Sequence, residues 1–217
     1  MRRRKVIKRI LVTAGPTREK IDPVRYISNY STGIFGYEIA RAAKSRGLSV
    51  TLVSGPTSLK VPKGVRFIPV ESANDMRRAV LKFLKKSDCV VMAAAVADWR
   101  PKYSARRKIK KGGAKNIELV ENPDILAEIG MLKKKRVTVG FALETENMEK
   151  NALKKLKDKN LDIIVANRLT SKRSVFGDKA LDVVTIDRFG NKARISNKDK
   201  SKLAKIILDK ALKLLIH

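Results

Sequence analysis

The residues from Asp22 to Gly36 read Asp-Pro-Val-Arg-Tyr-Ile-Ser-Asn-Tyr-Ser-Thr-Gly-Ile-Phe-Gly, and this run gathers more candidate chemistry than its neighbours. Arg25 can grip a carboxylate or phosphate through two N–H groups, and the amide of Asn29, four residues on, can donate to a carbonyl oxygen without adding charge. Gly33 and Gly36 let the backbone turn sharply and approach a ligand. A helix starting beside them would aim free N–H groups and its positive dipole end at an anion. The run lacks the Gly-Lys-Ser/Thr ending of a triphosphate-cradling loop. Taken alone, its glycines serve equally well as tight-turn residues, Arg25 as a salt-bridge partner and Asn29 as a turn residue.

Three further groups could complete an anion site. Asp98 closes an apolar run at the edge of a sheet where ligands of open α/β sheets bind, and a carboxylate there suits Mg²⁺ or a nucleotide donor. Arg100 to Lys115 is polar, basic and glycine-containing, and reads as a flap. Its Lys108-Ile109-Lys110-Lys111 is either a solvated run or a means of neutralising charge as pyrophosphate departs. Lys155 and Lys159 stand one helical turn apart and can converge on one anion, whose absence would leave them mutually unfavourable. Cys89, the only cysteine, starts an apolar run with no base to activate it, so it reads as core. The only histidine is His217, the last residue, which removes most histidine-based mechanisms.

The elements that must position these groups alternate. Val6 to Ala14 is a first strand closed by Gly15-Pro16, Thr17 to Ile27 a loop, and Tyr37 to Arg46 a helix with Gly47 as its C-cap. Ser49 to Val53 is a strand stopped by Ser54-Gly55-Pro56. Val65 to Val70 is another, followed by a helix over Ser72 to Lys85. Asp88 to Ala95, the most hydrophobic run, suits a central strand covered on both faces. Asn122-Pro123-Asp124 opens a helix to about Leu132 with Pro123 in an early position. Val137 to Ala142 and Asp162 to Ala166 are strands around a helix over Met148 to Lys159. The order predicts one doubly wound α/β domain over residues 1–217, with a mostly parallel sheet, a flap at about 100–115 and a C-terminal β-hairpin extension at about 171–196. An amphipathic helix follows the hairpin.

The chain has 217 residues and is 43% hydrophobic, enough for a sizeable core. It has no run of apolar residues long enough for a membrane span and no secretory signal pattern, so a cytoplasmic location is expected. Its formal charge is +29, but aromatic residues make up only 5%, few for a platform that stacks bases. A basic nucleic-acid-binding module on the same scaffold is the competing reading, and it expects binding that falls steeply with salt. A nicotinamide oxidoreductase is disfavoured, because Ser54-Gly55-Pro56 stands where an acidic residue would meet the ribose.

The combination Thr13-Ala14-Gly15-Pro16-Thr17-Arg18-Glu19, Asp22 to Ser31, Leu52-Val53-Ser54-Gly55-Pro56, Ala93 to Pro101, Lys108 to Lys111, Asn122-Pro123-Asp124-Ile125 and Val139 to Thr145 resembles phosphopantothenoylcysteine synthetase. Asn160-Leu161-Asp162 and Val165-Ala166-Asn167 extend the resemblance, in order, over almost the whole chain. It implies a Rossmann-like, homodimeric phosphopantothenate–cysteine ligase of coenzyme A biosynthesis. Such enzymes activate the carboxylate of 4'-phosphopantothenate with CTP and Mg²⁺, and L-cysteine then displaces CMP. The resemblance places Arg25, Asn29 and Ala95 around the acyl intermediate and makes Lys108 the flap lysine. It assigns Gly15, Ser54, Gly55, Asp98, Asn122, Asp124, Ile125 and Phe141 to the nucleotide, and Lys155 and Lys159 to its phosphates. Asp98 is also the metal candidate. Thr32, Trp99 and Leu143 depart from the usual serine, tyrosine and alanine, and Leu143 could reshape the pocket around the base. No side-chain motif separates CTP from ATP. The family's flavin-dependent decarboxylase, often fused in front, is expected to be absent or a separate chain, since only five residues precede the first strand.

Overall fold

The computed structural model describes residues 8–112, 116–169 and 180–214. The chain begins with β1 (Arg9–Ala14), a hairpin of β2 (Arg18–Lys20) and β3 (Tyr26–Ser28), and α1 (Ile34–Ser45). There follow β4 (Ser49–Ser54), β5 (Arg66–Pro69), α2 (Ala73–Leu84) and β6 (Cys89–Met92). A second hairpin, β7 (Trp99–Pro101) and β8 (Leu119–Glu121), precedes α3 (Ile125–Met131), β9 (Val137–Glu144), α4 (Met148–Asp158) and β10 (Ile163–Arg168). The chain closes with β11 (Leu181–Asp187), β12 (Lys192–Lys198) and α5 (Lys200–Leu214).

The main sheet runs β12-β11-β10-β9-β6-β1-β4-β5. Strands from β10 to β5 in that row are parallel, while β11 and β12 add antiparallel edges. This is the Rossmann-like doubly wound sheet the alternation predicts. Successive residues of a strand face opposite sides, so β1 feeds two cores. Ile10, Val12 and Ala14 pack with α1 and α5, while Leu11 packs with α2, α3 and α4. Every residue of β6 is buried, as a parallel strand covered on both faces requires. The Cys89 thiol lies within it, and burial pushes its pKa up, as expected for a core cysteine. No helix among the described residues is long and apolar enough to cross a membrane.

Several boundaries differ from the sequence expectations for identifiable reasons. Helix α1 begins at Ile34, not Tyr37, with Gly33 at its N-cap. Gly36 is thus a helical residue, needed because a Cβ there would lie 2.6 Å from the Ala14 Cβ and 2.8 Å from the Thr13 oxygen. Pro123 lies outside α3: Asp124 is the N-cap, its side chain accepting from the Ala127 N–H. The predicted central strand leaves the sheet after Met92. The expected loop over Thr17 to Ile27 contains the β2–β3 hairpin, and the predicted flap starts inside β7. The β11–β12 hairpin matches the expected one and pairs with β10, while the start of that predicted extension, residues 171–179, and residues 113–115 of the flap lie outside the described residues.

Candidate active site

The chain passes from β1 to β4 and β5 on one side, then returns to place β6 on the other side of β1. The crossovers therefore diverge at the carboxyl ends of β1 and β6, where open α/β sheets bind their ligands. Beyond β6, Ala93 to Asp98 is stapled to the loop after β1. The Ala95 N–H donates to the Gly15 oxygen (3.0 Å), and the Thr17 N–H donates to the Ala95 oxygen (3.2 Å). The hydroxyl oxygens of Thr13 and Thr17 accept from the N–H groups of Ala94 and Ala97 (3.1 and 2.9 Å). This tethered segment forms one wall of a cleft of about 700 Å³, together with Asn29 and Tyr30. Glu121 to Leu126, Phe141, Leu143, Lys155 and Lys159 also line it.

The cleft gathers most of the sequence-predicted site residues. Asn29 donates from Nδ2 to the oxygens of Ala95 (3.1 Å) and Val96 (3.3 Å), so it fixes the segment it faces. Asn122 does the same from below: its Nδ2 donates to the Ala97 oxygen (2.8 Å) and its N–H to the Asp98 oxygen (2.8 Å). Asp98 is exposed on the rim, Ile125 is buried at the base, and the Phe141 ring meets Phe35 edge-on at 5.1 Å. Asp124 pairs with Lys159 at 2.7 Å. Partial burial works to raise the Asp124 pKa, but the Lys159 hydrogen bond and the Ala127 N–H hold it below the usual carboxylate range.

Lys155 is a half-buried cation. Burial first, then the neighbouring Lys159, lower its pKa. A lysine with a lowered folded pKa costs stability while charged, and that cost is relieved as pH rises past the folded value towards the unfolded one. Lys155→Gln is therefore expected to raise the melting temperature at pH 7 while weakening pyrophosphate binding by about tenfold or more, the scale of a lost charged hydrogen bond. Thermal melts and calorimetric titration check both halves. A variant that melts lower would show that Lys155 is a structural cation instead.

Other predicted residues are not brought to this cleft. Gly15, Ser54 and Gly55 are buried together behind it, where the Gly55 N–H donates to the Ala14 oxygen (3.0 Å) and the Ser54 hydroxyl to the Gly55 oxygen (2.8 Å). Arg25 and Lys108 are absent from its described lining; Lys108 is exposed on the flap and Arg25 pairs with Asp22 at 2.6 Å. Ser31 to Phe35 line a smaller adjoining pocket of about 130 Å³ that shares Phe141 and Leu143 with the cleft.

Residues 6–215 match the family described as DNA/pantothenate metabolism flavoprotein C-terminal domain. The chain belongs to this family. It is 51% identical over 181 residues to the coenzyme A biosynthesis bifunctional protein CoaBC of Bacillus subtilis, covering 82% of this chain and 44% of that protein. It is 43% identical over 210 residues to a protein of an unknown prokaryotic organism named cysteine/cysteine sulfinic acid decarboxylase, covering 95% and 58%. The chain thus spans about half the length of these curated relatives. A crystal structure of the C-terminal domain of CoaBC superposes with a TM-score of 0.83 at 42% identity, covering 96% of this chain and 95% of that one. The resemblance read from the motifs therefore holds at the level of family and fold.

One residue of this family member carries more than the sequence suggested. Asp22 has a fully buried side chain, and its Oδ1 accepts from the N–H groups of Val24 (2.8 Å) and Arg25 (2.9 Å). The Asp-Pro-Val-Arg order was a readable signal, since an aspartate commonly accepts from the backbone two residues on. The Arg25 guanidinium, aided by these N–H groups, holds the Asp22 carboxyl well below the usual carboxylate range against the opposing effect of burial. A carboxyl lowered on folding adds stability above its unfolded pKa, about 4, and loses it as pH falls through the folded value. The urea midpoint is thus expected to fall between pH 7 and pH 3, and to fall less in Asp22→Asn. Equal drops in both proteins would remove Asp22 from the acid response.

Proposed function

We propose that the chain is a phosphopantothenate–cysteine ligase using CTP. The relatives bear different names, so the reading leans on the cleft itself. The observation that carries it is the gathering, in one cleft of about 700 Å³ at the sheet's switch point, of the Asn29-braced Ala94–Ala97 main chain with Lys155 and Lys159. That space accommodates a nucleotide. The lysines suit its phosphates, and the braced main chain offers peptide groups for an acyl group or a base.

A carboxylate does not condense with an amine at neutral pH until one of its oxygens becomes a good leaving group. In the first step a carboxylate oxygen of 4'-phosphopantothenate bonds to the α-phosphorus of CTP and pyrophosphate leaves. In the second, the cysteine amine attacks the acyl carbon, loses a proton, and CMP leaves. Neither step needs histidine; both need charge neutralisation, orientation and water exclusion. Lys155 and Lys159 would hold the phosphates, with Lys159 exchanging Asp124 for them. Asn29 would keep the acyl end against the Ala95–Val96 peptide, and the flap would bring Lys108 over the departing pyrophosphate.

The donor set also suits Mg²⁺. Among the described residues no three carboxylate, cysteine or histidine side chains converge. One carboxylate plus phosphate oxygens and waters is a common magnesium arrangement, and Asp98 on the rim is the residue that would take part. The ion, when bound, supplies neutralisation of phosphate charge. The reading also includes a homodimer, checked by sedimentation mass. Incubation with 4'-phosphopantothenate, cysteine, Mg²⁺ and CTP is expected to release CMP and pyrophosphate. Failure with CTP, ATP and every other nucleotide would refute the ligase reading.

A further inference from the structure

We propose that Asp22 and Arg25 are positioning residues that clasp the flap bearing Lys108; the catalytic half of this inference rests on the ligase reading, its structural half does not. Ile109, 87 positions from Asp22, is held by both of its main-chain polar groups. Its N–H donates to Asp22 Oδ2 (3.1 Å), and its oxygen accepts from Arg25 Nη2 (2.8 Å). The same Oδ2 accepts from Arg25 Nε (3.0 Å) and Nη2 (2.6 Å), so the two-pronged face of the guanidinium is already taken by Asp22. A second tether lies four residues earlier, where the Ala105 N–H donates to the Ile21 oxygen (2.9 Å).

Between these tethers stand Arg106, Arg107 and Lys108, all exposed. The clasp thus fixes the ends of a short basic arch without touching its side chains. Charge-assisted hydrogen bonds to a buried carboxylate are among the stronger non-covalent links. A carboxylate engaged by four groups, two of them backbone N–H groups of its own turn, is built to hold its place rather than to exchange partners with a ligand. Removing the clasp should release the arch and leave the sheet intact.

The test combines proteolysis with a mutant cycle. Trypsin cuts after each residue of the arch, and cleavage of a locally opening loop reports its open population. Asp22→Asn and Arg25→Ala are expected to speed cleavage after residues 106–108, followed by mass spectrometry without substrates, by about tenfold or more. Arg25→Ala is the safer variant for folding, since Asp22 keeps its backbone donors. In the assay, Arg25→Ala, Lys108→Gln and the double variant should lower kcat by similar factors, because residues acting as one unit are not additive. Unchanged cleavage in both single variants, or losses that multiply in the double variant, would overturn the clasp. Faster cleavage in a protein without ligase activity would sustain the clasp and remove the function reading alone.

Discussion

Lys108→Gln is expected to lower the rate of acyl-cytidylate formation by about two orders of magnitude, the cost of losing one charge-stabilising donor. The motivating geometry is the exposed arch between Ala105 and Ile109, tethered at both ends, which carries Lys108. Pyrophosphate gains charge as its bond to the α-phosphorus breaks, and an ammonium held at that point stabilises the transition state more than bound CTP. Glutamine retains a polar donor but no charge, so the loss isolates the electrostatic contribution. Affinity for CTP should stay within about threefold, because in the proposed reading Lys155 and Lys159 hold the ground state and uniform binding is separable from transition-state binding. Single-turnover measurement of pyrophosphate release, alongside calorimetry of CTP binding, makes the distinction. A wild-type rate would detach the flap from the chemistry. An affinity loss as large as the rate loss would make Lys108 a ground-state ligand.

Legibility in the sequence followed the reach of the interactions concerned. The run Cys89 to Met92 was readable because burial on both faces removes every polar residue from it. The helices were readable because Met76, Val80 and Leu84, for example, return to one face at helical spacing. Hairpins β2–β3 and β7–β8 were not, since strands of three residues are too short to show alternation. The same contrast governs the site. Asp98, Asn122 and Lys159 sit beside the ends of regular elements, Phe141 and Lys155 within them, and all five line the cleft. The sequence leaves Arg25 as either an anion ligand or a salt-bridge partner. Its partner is an aspartate three residues away, and its second partner is a peptide oxygen 84 residues on, which no local pattern encodes. Gly15 and Gly55 carry the small-residue signature of a ligand loop, but their smallness is used between two backbone segments.

That use leads to the largest expected effect on stability. Gly55→Ala should destabilise the fold by about 3 kcal/mol or more, as overpacking against an immovable neighbour does, and lower the melting temperature by roughly 6–12 °C for a chain of this size. A Cβ at Gly55 would lie 1.8 Å from the Pro16 oxygen and 2.7 Å from its carbonyl carbon. Both are backbone atoms, and Pro16 is bridged to Ala95, so relief requires moving the end of β1 or the wall of the cleft. Gly47→Ala is the control: its φ of +77° carries the strain of a left-handed position, but nothing lies within 4 Å of an added Cβ. It should cost only about 1 kcal/mol, separating conformational strain from close approach. A Gly55→Ala protein melting within about 2 °C of wild type, less than the shift from 1 kcal/mol, would show that the Pro16 contact yields easily. If the large loss is seen, weakened nucleotide binding by that variant follows from displacement of Pro16 and Ala95. It would then carry no information about a direct contact between Gly55 and the nucleotide.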